Sequence, residues 1–594
     1  MLPVPDVASL AHQLATALTT AIATAYSDQE QADPLIRPSD HADFQANAAL
    51  ALAKLVGAPP REVAQNIVAA LGEQSAWDGQ ISGPGFINLT VSDDALWAQV
   101  QQRVQHERLG IAASEVGVRT VVDYSAPNIA KEMHVGHLRS TVIGDCLVRV
   151  LEALGGEVIR QNHLGDWGTQ FGMLITYIDE HPDLEWRHSQ LTAGGTSVSA
   201  LDELYRKARA AFDADPEFAD RSRRRVVALQ AGDADTLARW REIVAESEYA
   251  FDAIYARLGV RISSADSQGE SSYNDQLAAV TAELVDAGVA IASEGALVVL
   301  SQEVTGREGE PAALIIRKSD GGYGYGTTDM ATIRHRIKDL EADRILYVVG
   351  SPQATHFRLV FEAARRVGWL TPAVEATHVP FGSVLGPDGK MFKTRSGGTV
   401  RLADLLDQAV DAAATVVAQG AQARGEEMTD ADLASIAEEA GIGAIKYADL
   451  STSRLKDYVF DPARMVAFTG NTGVYLQYAH TRVISILRKA GERGYSDNEL
   501  SPLSEPLTAA ERSLILTLDR LGEVLVEVVQ TYEPHKLATY LYETARAFTE
   551  FYEACPVLGA QAQLRQRRLV LLNLTRRTLE QALTLLGIPA PERL

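Results

Sequence analysis

The stretch from Val118 to Asn162 narrows the choice of fold more than any other part of this chain. VRTVVDYS (118–125) is apolar and β-branched and ends at Pro127, the pattern of a buried strand. Apolar residues then recur at Leu138, Val142, Ile143, Cys146, Leu147, Val150, Leu151 and Leu154, a helical period that stops at Gly155-Gly156. EVIRQN (157–162) reads as a second strand. A strand, a short helical crossover and another strand form the unit of a parallel sheet, so the expected class is multidomain α/β.

At 594 residues the chain exceeds what one core can serve, and three or four domains are expected. Residues 1–112 mix helical periodicity with a strand at GPGFINLTVS (83–92) and read as a small α+β domain. Residues 113–400 form the α/β domain. Its charged helical segment near 185–250, containing RSRRR at 221–225, reads as an insertion with a solvated face. Its sheet pattern resumes at AALIIRK (312–318), RILYVVG (344–350) and HVPFGSVLG (378–386). Acidic helices fill 401–440 as a connector, and 441–594 reads as an all-α bundle.

Composition removes several classes. Hydrophobic content of 46% and charged content of 22% are ordinary for a globular protein, and no apolar run is long enough to span a membrane. The start MLPVPDVASLAHQL lacks the basic and apolar regions of a secretory signal. Two cysteines, Cys146 and Cys555, make neither a disulfide framework nor a zinc site, which fits a reducing cytoplasm. The formal charge of −23 argues against a polyanionic partner until its distribution is read. From Gly441 onward 18 basic residues face 17 acidic ones, so the C-terminal quarter is where a polyanion would dock.

SAPNIAKEMHVGHLRST (125–141) places His134 and His137 at the junction of the first strand and its helix, with Lys131 three residues ahead. A helix start offers unpaired N–H groups and a positive dipole end, which suits a phosphate. Two imidazoles and an ammonium add donors for charge that grows during reaction, and Gly136 lets a nucleotide approach closely. The reading is a triphosphate site at the carboxyl edge of a parallel sheet. An HxGH pattern by itself is also compatible with ordinary exposed helix-start residues.

SAPNIAKEMHVGHLRSTVIGD (125–145) followed by HLGDWGTQFGML (163–174) closely resembles the signature region of class I aminoacyl-tRNA synthetases, and more narrowly the bacterial arginyl-tRNA synthetase family. DFQANAALALAK (43–54), GPGFINL (83–89), YVVGSPQATHF (347–357), GNTGVYLQYAH (470–480), the closing helices from His535 and the terminal PERL are also similar, so the likeness covers essentially the whole chain. It implies a Rossmann-like catalytic domain, an N-terminal tRNA-contacting domain and a helical anticodon-binding domain. The implied reaction joins L-arginine to ATP as arginyl-adenylate with loss of pyrophosphate, then moves arginine to the terminal ribose of tRNA-Arg. Mg²⁺ accompanies the ATP, and no protein-bound zinc or other metal site is expected. The family also implies that activation needs the tRNA, that no membrane is involved and that the protein is a monomer. Rivals are another class I synthetase or nucleotidyltransferase, and a catalytically silent tRNA-binding paralogue.

The resemblance assigns roles residue by residue. His134 and His137, with Gly136, serve the ATP phosphates and nucleoside, as do Gly350 and His356, although His356 also suits a structural role. The family's second motif, a mobile Lys-Met-Ser-Lys-Ser loop, appears as Lys390-Met391-Phe392-Lys393-Thr394, with phenylalanine and threonine in place of the serines. The resemblance assigns the work of that loop to Lys131 and Lys393, with Lys390 beside them. A guanidinium wants a carboxylate and neutral acceptors around its fork. Tyr325 and Asp329 of YGTTD, Gln353, Asn128 and Asp123 are the implied arginine pocket; capping of the following helix is the other use of Asp329. For tRNA, the family points to Tyr475, Tyr478 and Arg482 as stacking and phosphate contacts, to Phe44 and Asn47 in the N-terminal domain, and to Leu594 at the chain end. Aromatics three apart in a bundle serve equally as core. RQRR (565–568) reads as phosphate contacts or a solvated helix face.

Overall fold

The computed structural model describes residues 7–72, 76–189, 197–306, 309–390, 392, 400–425 and 427–594. Four parallel strands make the central sheet, in the spatial order Glu375–His378, Arg344–Tyr347, Arg119–Asp123, Glu157–Gln161. Alternate residues face different cores, as strand pleating requires. Val122 and Leu346 join the large core that contains Leu138, Val142 and Leu147 of the Val135–Ala153 helix. Val121, Ile345 and Tyr347 join a second core with Val280, Met330 and Val360. The chain leaves the Arg119–Asp123 strand toward Glu157–Gln161, then returns to its other side at Arg344–Tyr347. Strand order therefore reverses beside Asp123 and Tyr347, and the carboxyl ends of those two strands flank the crevice where open α/β sheets take ligands.

AALIIRK does not continue the parallel sheet. Pro311–Arg317 pairs antiparallel with Ala296–Thr305, which pairs with Ile291–Ser293, in a separate three-stranded sheet. Its burial alternates residue by residue, as befits a sheet with one covered face. The acidic connector does not end at 440, because one helix runs unbroken over Asp430–Leu450 and buries Ala440 through Lys446. Phe44 is no surface contact: it lies in the Phe44–Ala46 strand, pairs with Leu89 and is 5% exposed. An apolar ring on a strand that faces the domain core is better hidden than offered to a polyanion.

The N-terminal domain is α+β: helices Leu10–Ala25, Ala48–Val56 and Pro60–Leu71 cover a four-stranded antiparallel sheet. It packs on the C-terminal bundle, whose main helices are Gly473–Glu492, Ala509–Asp519, Leu521–Thr531, His535–Ala554 and Ala562–Leu585. Asp519 accepts from the Leu10 amide (2.6 Å), Gln99 (2.7 Å) and Arg103 (2.8 Å). Arg512 reaches Asp43 at 2.6 Å and also pairs with Asp93. The RQRR segment is neither a phosphate contact nor a solvated face in full. Arg567 and Arg568 are buried, and both bond the carboxylate of Glu511 at 3.0 Å. RSRRR matches its solvated reading: Arg221, Arg224 and Arg225 pair with Glu180, Asp220 and Asp179 near the surface.

Candidate active site

The crevice begins with a strained turn. Ser125, Ala126 and Ala130 hold φ of 73°, 50° and 60°, a region that costs an ordinary residue about 1–2 kcal/mol. Side-chain acceptors from three elements hold these amides in place. Ser125 N donates to Ser140 Oγ (2.9 Å), Ala126 N to Asn162 Oδ1 (3.0 Å) and Ala130 N to Ser247 Oγ (3.1 Å). The turn hangs Asn128 and Lys131 over the crevice. Asn128 is exposed and bridges to Gly165 of HLGDWG, where a Cβ would lie 2.5 Å from the Asn128 carboxamide oxygen. A side chain at position 165 would therefore push the Asn128 carboxamide out of its present place. Lys131 rests its ammonium 5.1 Å above the Tyr205 ring, which the inserted helix Ser197–Ala214 supplies.

At the helix start the expectation of unpaired amides is corrected. Val135 N donates to Val400 O (3.3 Å), Gly136 N to His134 Nδ1 (3.0 Å) and His137 N to His134 O (2.8 Å). His134 N donates to His137 Nδ1 (3.0 Å), so the two imidazoles close a reciprocal capping box. Their rings lie 4.0 Å apart. An imidazole whose Nδ1 accepts carries its neutral-form proton on Nε2, so each ring keeps an Nε2–H donor that the helix start does not use. Burial, then the charge of Lys131, lowers His134; burial, then His134, lowers His137 to about 3. These are neutral donors, and the fixed positive charge beside them is Lys131. Gly136 is exposed, and a Cβ there would meet His134 Cε1 at 2.8 Å. The glycine thus keeps room for the ring as well as for a ligand.

The second strand end brings Gly350, Gln353 and His356 to the same edge of the sheet, far along the chain from the first cluster but on the neighbouring strand. A Cβ on Gly350 would make only ordinary contact, at 3.6 Å to Pro352, so no protein atom demands a glycine there. Gln353 is exposed, and Tyr325, at the start of the Tyr325–Lys338 helix, is 76% exposed. Asp329 does not cap that helix: the cap is Gly324, and Asp329 lies one turn inside, where its Oδ2 accepts from His356 Nε2 at 2.5 Å. His356 is thereby held by a carboxylate. Asp123 is likewise answered from within, its Oδ2 lying 2.8 Å from Nη2 of the fully buried Arg336, which also donates to Gln161. Its carboxylate serves to hold Arg336 rather than to lie open in the crevice.

Sequence reading missed Glu270. Burial first, then the charges of Asp166 and Asp329, push its carboxyl up to about 8. Asp166 is itself raised by burial, although it accepts from Ser271 N (2.9 Å) and Oγ (2.6 Å). Three carboxylates therefore influence one another, with the imidazoles of His163, beside Asp166, and His356, bonded to Asp329, facing them. A GES run opening the short 3-10 helix Glu270–Gln276 gives no periodic or spacing signal; only the fold brings it near Asp329. Lys390 is exposed at the foot of the basic loop, while Lys393 lies outside the described residues. The loop's far end returns to the site: Arg401 forms a β-bridge with His134.

In the bundle, Tyr475 and Tyr478 are half-buried on the Gly473–Glu492 helix, edge-on to Tyr542 (5.9 Å) and Phe468 (6.0 Å). Arg482 lies 4.2 Å over the Tyr552 ring. The buried partners in YLQYAH, also missed, hold the chain's last residues: Gln477 Nε2 donates to Pro589 O (3.0 Å) and His480 Nδ1 lies 3.1 Å from Pro591 O. Leu594 is 8% exposed. Asn47 sits between Gln45 and Arg37, with its carboxamide 2.9–3.0 Å from the Arg37 guanidinium.

A parallel sheet with an HVGH capping box at its switch point defines the catalytic domain of a class I aminoacyl-tRNA synthetase, and residues 99–462 match the family described as class I tRNA synthetases (R), catalytic domain. Residues 476–594 match the DALR anticodon binding domain, and residues 11–91 match the arginyl tRNA synthetase N-terminal domain. The chain belongs to the arginyl-tRNA synthetase family. It is 61% identical over 591 residues to the arginine–tRNA ligase of Frankia casuarinae, covering 99% of each chain. The arginyl-tRNA synthetase of Plasmodium falciparum superposes with TM-score 0.83 at 27% identity, over 100% of both chains. That of Thermus thermophilus gives 0.79 at 25% identity, over 98% of this chain and 100% of the other. High identity to a ligase along the whole length leaves the silent-paralogue alternative without support. Among the described residues no helix is long and apolar enough to cross a membrane.

Proposed function

We propose that this chain activates L-arginine with ATP, releasing pyrophosphate, and transfers the arginyl group to the 3′-terminal ribose of tRNA-Arg, with activation dependent on the tRNA. The observation that carries the site reading is Asp329, bonded to His356 at the carboxyl end of the sheet, with the buried Glu270 carboxyl raised by Asp166 and Asp329 near it. A guanidinium is the cation that fits: planar, permanently charged and able to meet two carboxylates at once. Asp329 and Glu270 take its fork, Tyr325 and Gln353 line it, and Asn128 holds the amino-acid end. Asp123 acts from behind, through Arg336.

Arginine's carboxylate then faces the α-phosphate. The Nε2–H groups of His134 and His137 donate to phosphate oxygens as negative charge moves toward the leaving pyrophosphate, and Lys131, Lys390 and Lys393 balance that charge. ATP enters with its Mg²⁺ as substrate, over Gly136 and Gly350, and His356 orients between the nucleoside and Asp329. Tyr475, Tyr478 and Arg482 offer ring faces and a cation to unpaired anticodon bases, Asn47 meets the tRNA from the N-terminal domain, and the buried Leu594 shapes that surface from below. We place a monomer in a reducing cytoplasm, supported by two buried free thiols, Cys146 and Cys555.

Arginine-dependent ATP–pyrophosphate exchange, with and without tRNA-Arg, tests this reading. Exchange that requires both arginine and tRNA is expected. Exchange with a different amino acid, or none under either condition, sinks it.

A further inference from the structure

Arg139 lies two residues beyond His137 on the HVGH helix and is 1% exposed. Its guanidinium meets four groups at once. Nε lies 3.2 Å from Oδ2 of Asp449, a fully buried carboxylate on the Asp430–Leu450 helix. Nη1 donates to the Lys456 carbonyl at 2.8 Å. The Cζ atom stands 5.4 Å from the Tyr458 ring and 6.0 Å from the Phe381 ring.

The segment it grips is the floor of the basic loop. Gly382 N donates to Arg454 O (2.8 Å), Ser383 N to Asp457 Oδ1 (2.6 Å), and Tyr458–Val459 pairs in parallel with Val384–Leu385, just ahead of Lys390. The other end of the loop is tied to the HVGH turn directly, by Val135 N to Val400 O and by the His134–Arg401 bridge. The far end of the loop thus meets the HVGH turn backbone to backbone, whereas its foot rests on the 454–459 segment, which the HVGH helix grips through the Arg139 side chain.

We propose that Arg139, with Asp449 and the Lys456 carbonyl, is a positioning residue that sets the width between the HVGH turn and the foot of the basic loop, the gap the triphosphate occupies. The proposal rests on the function above. A planar fork suits the task because it fixes direction as well as distance; lysine supplies only a point charge. Because Asp449 lies at the end of a helix that packs on the Gly473–Glu492 helix of the bundle, the same fork carries any shift of that helix into the gap.

A purely structural ion pair would behave differently on replacement. Buried pairs exchanged for apolar residues of similar volume are often neutral for stability. The test therefore pairs Arg139→Lys with the double variant Arg139→Met/Asp449→Leu. Each is assayed by pyrophosphate exchange with tRNA-Arg, by tRNA affinity and by thermal unfolding. The double variant is expected to unfold near the parent's midpoint yet lose about 10–100-fold in kcat, the scale of a small misplacement. KM for arginine and tRNA affinity should stay within about twofold. Arg139→Lys should show the same split, and carries the test if the double variant does not fold. Recovery of the exchange rate together with stability in the double variant overturns the proposal. So does a fall of kcat, KM and tRNA affinity in step with the folded fraction. An inactive parent enzyme would instead count against the function itself.

Discussion

Two buried clusters of charge in this molecule are built on opposite principles. In the bundle, Glu511 meets Arg567 and Arg568 at 3.0 Å and the Thr508 amide at 2.8 Å. Burial alone would raise its carboxyl, but hydrogen bonds from Thr508 and Arg568 and the charge of Arg567 hold it below the ordinary range. In the crevice, Glu270 sits among carboxylates and is pushed up to about 8. The first cluster is complete without a ligand and joins helices. The second is short of cations, and that shortfall is what a cationic substrate fills.

Breaking the closed cluster should have the largest effect. Glu511→Ala strands two buried guanidinium groups and should cost about 3–5 kcal/mol of stability, read by denaturant unfolding, with activity per folded molecule retained. Asp329→Asn should spare stability. It should lower kcat/KM for arginine by about 30–100-fold, roughly 2–3 kcal/mol of a charged hydrogen bond, in steady-state exchange assays.

The pH dependence sharpens the contrast. Glu270 titrates higher in the folded chain than in the unfolded one, so the folded state holds the extra proton and stability falls as pH rises from about 4.5 toward 8. Binding a guanidinium expels that proton, so arginine affinity should climb with pH up to about 8 and level off above it. Calorimetric titrations in buffers of different ionisation heat should show proton release at neutral pH. Glu270→Gln should flatten both the profile and the release. The smallest effect belongs to the exposed RSRRR face: Arg221→Ala should leave the unfolding midpoint and tRNA affinity unchanged, because exposed pairs contribute little.

The strand–helix–strand unit was legible because hydrophobic period alone specifies it, and HVGH because a helix start follows a strand there. The switch point was not visible, since it depends on Arg344–Tyr347 pairing with the opposite side of Arg119–Asp123. AALIIRK misled for a related reason: an apolar run does not say which sheet it joins. Phe44 and Asp123 matched family patterns, yet burial turned one inward and Arg336 claimed a carboxylate oxygen of the other. Partners of buried charges lie far away in sequence, and no local pattern announces Arg336, Glu270 or the Gln477–Pro589 bond.

The contact between Leu10 and Asp519 closes 509 residues of chain. At about 5–20 residues per second of synthesis, the first helix waits roughly half a minute to two minutes for its partner to emerge. During that time the surface destined for the bundle is open to water and to other chains. The catalytic turn waits too, for Ser247 and Tyr255. A nascent chain that carries HVGH but not yet Ser247 and Tyr255 therefore lacks the partners that hold its catalytic turn.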